Sequence, residues 1–273
     1  MNFLYAFIAL IITVFIVVAC FPKKKKSEYS LSYDINNPTL KMSLPENLKE
    51  ISGLSFYKNN SLACVNDEKG TVFIYDLSSQ TISETIDIGK NGDYEGIEVV
   101  EDEIFIMKSN GKIKGFKIEN GEERKIDCSD KNVKEYEGLA FDPITKSLLL
   151  VTKEKEKDKN DNKTIYAYAL KNNEFSKYMT ITEEMVIGKD GKKTFAPSGI
   201  AVHPITGELY IISSQGKKLL ILSPKGEKNA LFELDEKTFV QPEGICFAPN
   251  GDLYISSEGI EKNAFILKFS NFN

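Results

Sequence analysis

The chain has no tryptophan, one histidine (His203) and, among its 35 basic residues, one arginine (Arg124). A histidine-rich metal centre is therefore excluded, and any nucleophile–histidine–carboxylate mechanism would have to run through His203. With one guanidinium, forked recognition of phosphate or carboxylate is scarce, and lysine acts only as a point charge. Basic excess is missing too: 35 Lys and Arg stand against 40 Asp and Glu, a net charge of −5, and four of the positive charges sit together at Lys23–Lys26. The remainder is too acidic to hold nucleic acid by neutralising phosphates, so no nucleic-acid partner is expected. The four cysteines, Cys20, Cys64, Cys128 and Cys246, show no close pairing. The last three fall in or beside strand-like stretches, so buried thiols are expected rather than a disulfide framework or a zinc site. Helix is nearly absent from the pattern; only Thr182–Met185 reads as a single turn.

What is present begins with an apolar run, Phe3 to Ala19, interrupted only by Thr13 and ending at Cys20. Its length suits the hydrophobic region of an export signal, at the short end for a membrane span. The aliphatic and small residues before Cys20 resemble a bacterial lipobox, so residues 1–20 are expected to be a lipoprotein signal with Cys20 lipidated. The alternative is an uncleaved signal anchor. Residues 21–37 then form a polar tether, and 38–273 the globular body. Under either reading the protein is held at a membrane, in the cell envelope.

The body repeats one motif five times. An apolar run is entered through a small or acidic residue and a glycine, at Ile51–Phe56, Tyr94–Val99, Tyr136–Phe141, Pro197–Val202 and Pro242–Phe247. The glycines, Gly53, Gly96, Gly138, Gly199 and Gly244, are separated by 43, 42, 61 and 45 residues. After each comes a turn and a second strand, then a third (Thr71–Tyr75, Lys112–Lys117, Thr164–Tyr168, Lys218–Leu222, Ala264–Phe269), and in four units a fourth, such as Thr81–Ile88. Short antiparallel strands in units of roughly 40–50 residues are the mark of a β-propeller with one four-stranded sheet per blade. The fifth unit runs out after its third strand, and the orphaned Thr39–Leu44 is placed to complete it and close the ring. The expected fold is an all-β, five-bladed propeller closed by an N-terminal strand. Six blades is the alternative, with the long third unit the only source of sequence for another.

The first strand of each blade lies nearest the axis, where crowded backbones call for glycine. The preceding residue, Ser52, Glu95, Glu137, Ser198 or Glu243, then stands at the mouth of the axial channel. The antiparallel second strand returns to the same mouth, bringing Asn66, Asp67, Lys108, Lys153, Ser214 and Glu258, while Glu50, Asp93 and Glu135 flank the rim. Glutamates converging on an axis must take up protons, meet lysines or bind a cation. Hard oxygen ligands without nearby histidine or cysteine favour Ca²⁺ or Mg²⁺ over zinc, which makes Glu95, Glu137, Glu243, Glu50 and Asp67 the candidate ligands. Neutralisation by Lys108 and Lys153 is the competing arrangement. His203 lies in a turn at the far end of its blade, where a structural role is expected. The Lys- and Glu-rich stretch Lys153–Lys163 reads as a long hairpin on the mouth face.

The segments Leu48–Phe56, Val65–Gly70, Gly92–Gly96, Leu148–Lys153, Ala196–Pro204, Gln241–Gly244 and Leu253–Gly259 together resemble the SdiA-regulated (YjiK-like) family over nearly the whole body. The resemblance implies a five-bladed propeller distantly related to NHL-repeat proteins, an envelope location and calcium at a shared site. Two functional expectations follow. In the first, the propeller is a membrane-anchored, calcium-binding, non-catalytic module whose mouth recognises a protein or a small molecule; no nucleophile–base pair is evident. In the second, the cation is catalytic, as in propeller lactonases and phosphotriesterases, with Glu243 or Glu137 activating water. That chemistry favours asparagine ligands and an open coordination position, and the mouth offers only Asn66.

Overall fold

In the computed structural model, which describes residues 29–154, 162–259 and 263–272, the glycine-led motif opens each of five four-stranded antiparallel sheets. The expected export signal, Cys20 and most of the tether, all within residues 1–28, lie outside the described residues, as does the middle of the 153–163 stretch. Contacts mark off Leu31–Asn273 as one compact unit.

Strand β1 (Leu40–Ser43) stands alone in sequence. Blade 1 follows as β2 (Ile51–Tyr57), β3 (Ser61–Asn66), β4 (Thr71–Asp76) and β5 (Thr81–Asp87), and blade 2 as β6 (Tyr94–Val100), β7 (Glu103–Lys108), β8 (Lys112–Lys117) and β9 (Glu123–Asp127). Blade 3 is β10 (Tyr136–Asp142), β11 (Ser147–Thr152), β12 (Lys163–Ala169) and β13 (Glu174–Ile181). Blade 4 is β14 (Ala196–Val202), β15 (Leu209–Gln215), β16 (Lys218–Leu222) and β17 (Lys228–Glu233). Blade 5 has only β18 (Pro242–Phe247), β19 (Leu253–Ser257) and β20 (Phe265–Phe269) of its own; its outer strand is β1, which pairs antiparallel with β20 from Leu40↔Lys268 to Ser43↔Phe265. The ring is thus closed across the termini, and no edge of β20 is left open. The extra length of blade 3 forms no sixth blade among the described residues. It goes into the β11–β12 connection and the stretch before β14, which holds a 3-10 turn at Glu183–Val186, one residue later than expected.

Second strands are mostly buried, β3 and β11 along their whole length, whereas the outermost β5 and β9 are largely exposed. Inner strands lie between blades and are covered on both faces, so they read as continuous apolar runs. The core accordingly sits in layers between neighbouring blades. One layer joins Leu54, Cys64 and Tyr75 of blade 1 to Cys246, Tyr254 and Ile266 of blade 5. Another joins Val65 and Ile74 to Ile97 and Ile106, a third Phe105 and Met107 to Leu139 and Leu150, and a fourth Leu149 and Ile165 to Ile200 and Ile211. Cys64, Cys128 and Cys246 are buried free thiols, as their spacing suggested.

Because first strands run away from the mouth and second strands return to it, the molecule has two distinct ends. The β1–β2 connection and the 3-10 turn Glu46–Leu48 lie at the mouth. The turns holding Asp142, His203 and Ala248 form the opposite end, called here the base. Residues 31–39 approach β1 along the base, where Tyr33 is wedged against His203, Tyr210 and Phe247 with ring centroids 6.3 Å away in each case.

Candidate ligand-binding mouth

All five inner strands change register at the same place. Ile51 pairs with Asn66 and Gly53 with Val65, so Ser52 has no partner; Glu95 is skipped likewise between Tyr94↔Lys108 and Gly96↔Met107. Ser198 is skipped in β14, and in β10 and β18 the shifts span Glu137–Gly138 and Glu243–Gly244. Each is a β-bulge, which kinks the strand and redirects the side chain of the extra residue. The five bulges place Ser52, Glu95, Glu137, Ser198 and Glu243 around the axis.

The glycines beside them explain why the bulges pack. A Cβ on Gly96 would lie 2.8 Å from Leu139 N, and one on Gly138, whose φ is +81°, would lie 2.8 Å from Gly199 Cα. Backbones of adjacent blades therefore touch, and the axis is pinched: Gly53, Gly96, Gly138, Gly199 and Gly244 surround about 10 Å³ of space for water centres, room for roughly one water. The mouth is a blind cup.

The five side chains divide into two kinds. Ser52 Oγ donates to Tyr94 O (2.6 Å) and Ser198 Oγ to Pro242 O (2.7 Å), each tying its blade to the next. The glutamates instead converge. Burial, followed by the nearby Glu137 carboxylate, pushes the pKa of Glu95 far up, and Glu95 also shares hydrogen bonds with Asp93 and Glu137. Burial raises Glu137 as well, against the pull of Lys153. Glu243 is pushed up to about 8 by burial, then by Glu137 and Glu258, although Gln241 and Ser214 donate to it. Carboxylates with a poorly solvated charge and like-charged neighbours hold protons to higher pH.

Among the described residues Lys153 forms the ion pairs with this group, while Lys217, bonded to Ser214 O (2.8 Å), lies near enough to Glu243 to feel its charge. Lys153 Nζ is 2.6 Å from Glu137 Oε1 and 3.8 Å from Glu135 Oε2; the shorter contact is a charge contact that is not aligned as a hydrogen bond. Burial opposes the ammonium charge, but Glu137, Glu135 and Glu95 together hold its pKa above the ordinary value. Lys108, the other expected counter-charge, turns to the rim, with Nζ 4.7 Å from the Tyr94 ring centroid.

A second acidic group lies at the rim. Asp67 Oδ1 is buried and has no hydrogen-bond partner. Burial, and then the charges of Glu50, Glu68 and Asp93, raise Asp67 to about 6. Glu258 is raised by burial and by Asp67 and Glu50, and it accepts a hydrogen bond from Gln241. Asn66 is committed elsewhere: its side chain accepts from Lys69 N–H (2.8 Å) and reaches Asn47 O (3.4 Å). Beside Lys153 the mouth opens into a groove of about 570 Å³ between blades 3 and 4, lined by Ile181, Val186, Phe195 and Gln215 among others.

The calcium implied by the family resemblance can be tested against these residues. Among the described residues no three or more acidic, histidine or cysteine side chains gather as a metal ion would require. In the axial trio Glu95, Glu137 and Glu243, the cation's place beside Glu137 is held by the Lys153 ammonium. As arranged, the trio does not fit a calcium ion. Among the described residues, Asp67 Oδ1 is the one oxygen of the expected ligands that is buried with neither a hydrogen-bond partner nor a lysine against it.

Sequence reasoning missed Glu98. It lies on β6 beyond the glycine ring, accepts from Ser55 Oγ (3.2 Å) and Phe141 N–H, and is raised by burial to about 8. The corresponding positions in the other blades are Ser55, Ala140, Ala201 and Cys246; its departure from those small residues was the available signal. His203 lies at the base as expected, 4% exposed. Its Nδ1 accepts from Ile205 N and Thr206 N (both 3.2 Å), so Nε2 carries the proton and donates to Tyr33 Oη (2.9 Å), which in turn donates to Gly251 O (2.6 Å).

The bulged, glycine-pinched ring defines a five-bladed β-propeller with an acidic cup at one end. The family profile described as SdiA-regulated matches residues 29–266, and the chain belongs to that family. No curated protein matches it. Solved structures share the fold. The glutaminyl cyclase of Myxococcus xanthus is 12% identical, with 86% of this chain and 95% of that one covered and a TM-score of 0.64. A nidogen/laminin complex is 17% identical over 80% and 79%, TM-score 0.52. A luciferin-regenerating enzyme is 12% identical over 86% and 95%, TM-score 0.53. At these identities the likeness concerns the fold alone.

Proposed function

We propose that the protein is a non-catalytic binding module, held at a membrane of the cell envelope through its N-terminal segment, whose mouth receives a cation or a cationic group of a protein or small-molecule ligand. The observation that carries this reading is Asp67 Oδ1, buried without a partner among Glu50, Glu68 and Asp93. A buried carboxylate oxygen left unsatisfied is costly, and a bound cation removes the cost. The blind cup supports a docking face rather than a conduit. Membrane attachment is supported by the apolar run Phe3–Ala19 ending at Cys20. Calcium is the inorganic candidate; Asp67 is where it would enter, with Glu50 and Glu258 as electrostatic neighbours that are not gathered into a ready ligand set. At the axial trio it would first have to displace Lys153.

The test uses the full chain in detergent, with thermal unfolding followed in Ca²⁺, Mg²⁺ or spermidine. At least one of these cations raises the melting temperature, and Asp67→Asn abolishes the rise while leaving the protein folded. Unchanged melting in all three removes the cation reading. Hydrolysis of a lactone or aryl ester that is lost with chelator and with Glu243→Gln would replace the binding module with a hydrolase.

A further inference from the structure

The base carries the three most exposed large apolar side chains among the described residues: Ile144 (72%), Phe272 (69%) and Ile205 (65%). They form one arc across blades 3, 4 and 5. A Cβ on Gly207, in the blade 4 turn, would lie 3.5 Å from Ile144 Cδ1 and 3.4 Å from Pro224; one on Gly251, in the blade 5 turn, would lie 3.3 Å from Ile205 Cδ1 and 2.5 Å from the amide of Asn271, next to Phe272. Each isoleucine thus laps over the turn of the following blade. The tips that carry them, residues 143–146 and 204–207, contain no acidic residue; Lys146 and Lys225 are exposed beside them, with Glu208, Glu227 and Asp34 at the margin of the arc. Blade 2 is different: its turns at the same end hold Glu101, Asp102, Glu119 and Glu122. The chain also enters the body at this arc, where Phe272 N–H donates to Ser32 O (3.1 Å) and Tyr33 is wedged beneath.

We propose that the base lies against a lipid surface, with Ile144, Ile205 and Phe272 inserted at the interface and the acidic mouth turned away from it. The inference rests on the membrane attachment proposed above and adds an orientation to it. A short tether keeps the base close to the bilayer from which it emerges, so a contact too weak to recruit a free protein becomes occupied through effective concentration. Apolar side chains at the acyl boundary with lysines at headgroup level are the pattern of interfacial binding. The acid-free tips suit an anionic leaflet; the acidic turns of blade 2 would be repelled by it.

The full chain is reconstituted into vesicles of phosphatidylcholine and phosphatidylglycerol and labelled with an environment-sensitive fluorophore through Ile205→Cys or, at the mouth, Lys69→Cys. Cys64, Cys128 and Cys246 are buried; Cys20, at the end of the apolar run, takes label if it carries no lipid, and the unsubstituted chain labelled in parallel sets that background, which is subtracted. The expected result is a blue-shifted emission at position 205, quenched by lipid-borne quencher, with neither effect at position 69. Replacing Ile144 and Phe272 by serine in the labelled protein should reduce the quenching severalfold. Flotation with vesicles but equal quenching at both positions, or none, overturns the docking face and leaves attachment standing. Failure to float overturns both. A blue shift at position 205 that grows with protein concentration without lipid assigns the face to a second copy of the chain and overturns the lipid proposal.

Discussion

The mouth and the base are opposite ends of the same five inner strands, yet they treat buried polar groups in opposite ways. At the mouth, bulges push carboxyl groups toward one another, and the charge is relieved by retained protons and by Lys153. At the base, turns satisfy their polar groups locally. His203 accepts from two backbone N–H groups and donates to Tyr33, and Asp142 caps its turn through Ile144 N–H (2.9 Å) and Thr145 Oγ1 (2.7 Å). The base is built for stability, whereas at the mouth the relief is partial and Asp67 Oδ1 stays buried without a hydrogen-bond partner. Incomplete relief of this kind is a common property of binding sites, although structural ion networks produce it too.

The sharpest way to break this contrast is to open the wall between the two ends. Gly138→Ala puts a Cβ where φ is +81° and where Gly199 Cα lies 2.8 Å away. Left-handed strain and backbone overpacking together should cost about 3 kcal/mol or more, read as a lowered denaturation midpoint with an unchanged denaturant slope.

The second largest effect is on the pH dependence, where the two ends have opposite signs. Glu243 has a folded pKa of about 8, above its unfolded value near 4.5. Its contribution is therefore fully present below the unfolded value and is lost as pH rises through the folded one. Each such carboxyl steepens the decline by up to about 1.4 kcal/mol per pH unit. Glu243→Gln, which cannot ionise, should flatten the stability curve between roughly pH 5 and 8. A curve that keeps its slope would mean that the mouth is solvated. His203 runs the other way: burial lowers its pKa, so its contribution is present above the unfolded value near 6.5 and is lost as pH falls toward the depressed folded one.

The smallest change is Tyr33→Phe, which removes the hydroxyl between His203 and Gly251 but keeps the ring contacts. Two hydrogen bonds are lost and a buried donor is left unpaired, a cost of about 1–3 kcal/mol. The His203 pKa, followed by NMR, should change while the mouth's response to cations does not. If it does change, the two ends are coupled.

The architecture was legible because one physical requirement, backbone contact around an axis, recurs as a glycine in every blade. Ring closure was legible as well, since Thr39–Leu44 was a strand without a sheet and the fifth unit a sheet without a strand. At the site, the pattern located the mouth but not the direction of each side chain. Ser52 and Ser198 share the column of the glutamates, yet a carbonyl on the next blade draws each hydroxyl sideways. Lys108 ends a second strand and Lys153 directly follows one; only Lys153 meets the glutamates, because Lys108 lies over the Tyr94 ring. Asn66 is spent on its own turn. These choices depend on atoms contributed by neighbouring blades, which linear spacing does not contain.

The strand that closes the ring is also the one through which any mechanical load from the N-terminal segment must pass. A pull directed away from the base meets the Tyr33 wedge first, and only after the wedge is extracted does it reach the β1–β20 ladder. If the proposed attachment holds, the lock on the circle and the cable that moors it are one piece of chain, and cleavage after Tyr33 would release the mooring while leaving the lock, β1 on β20, in place.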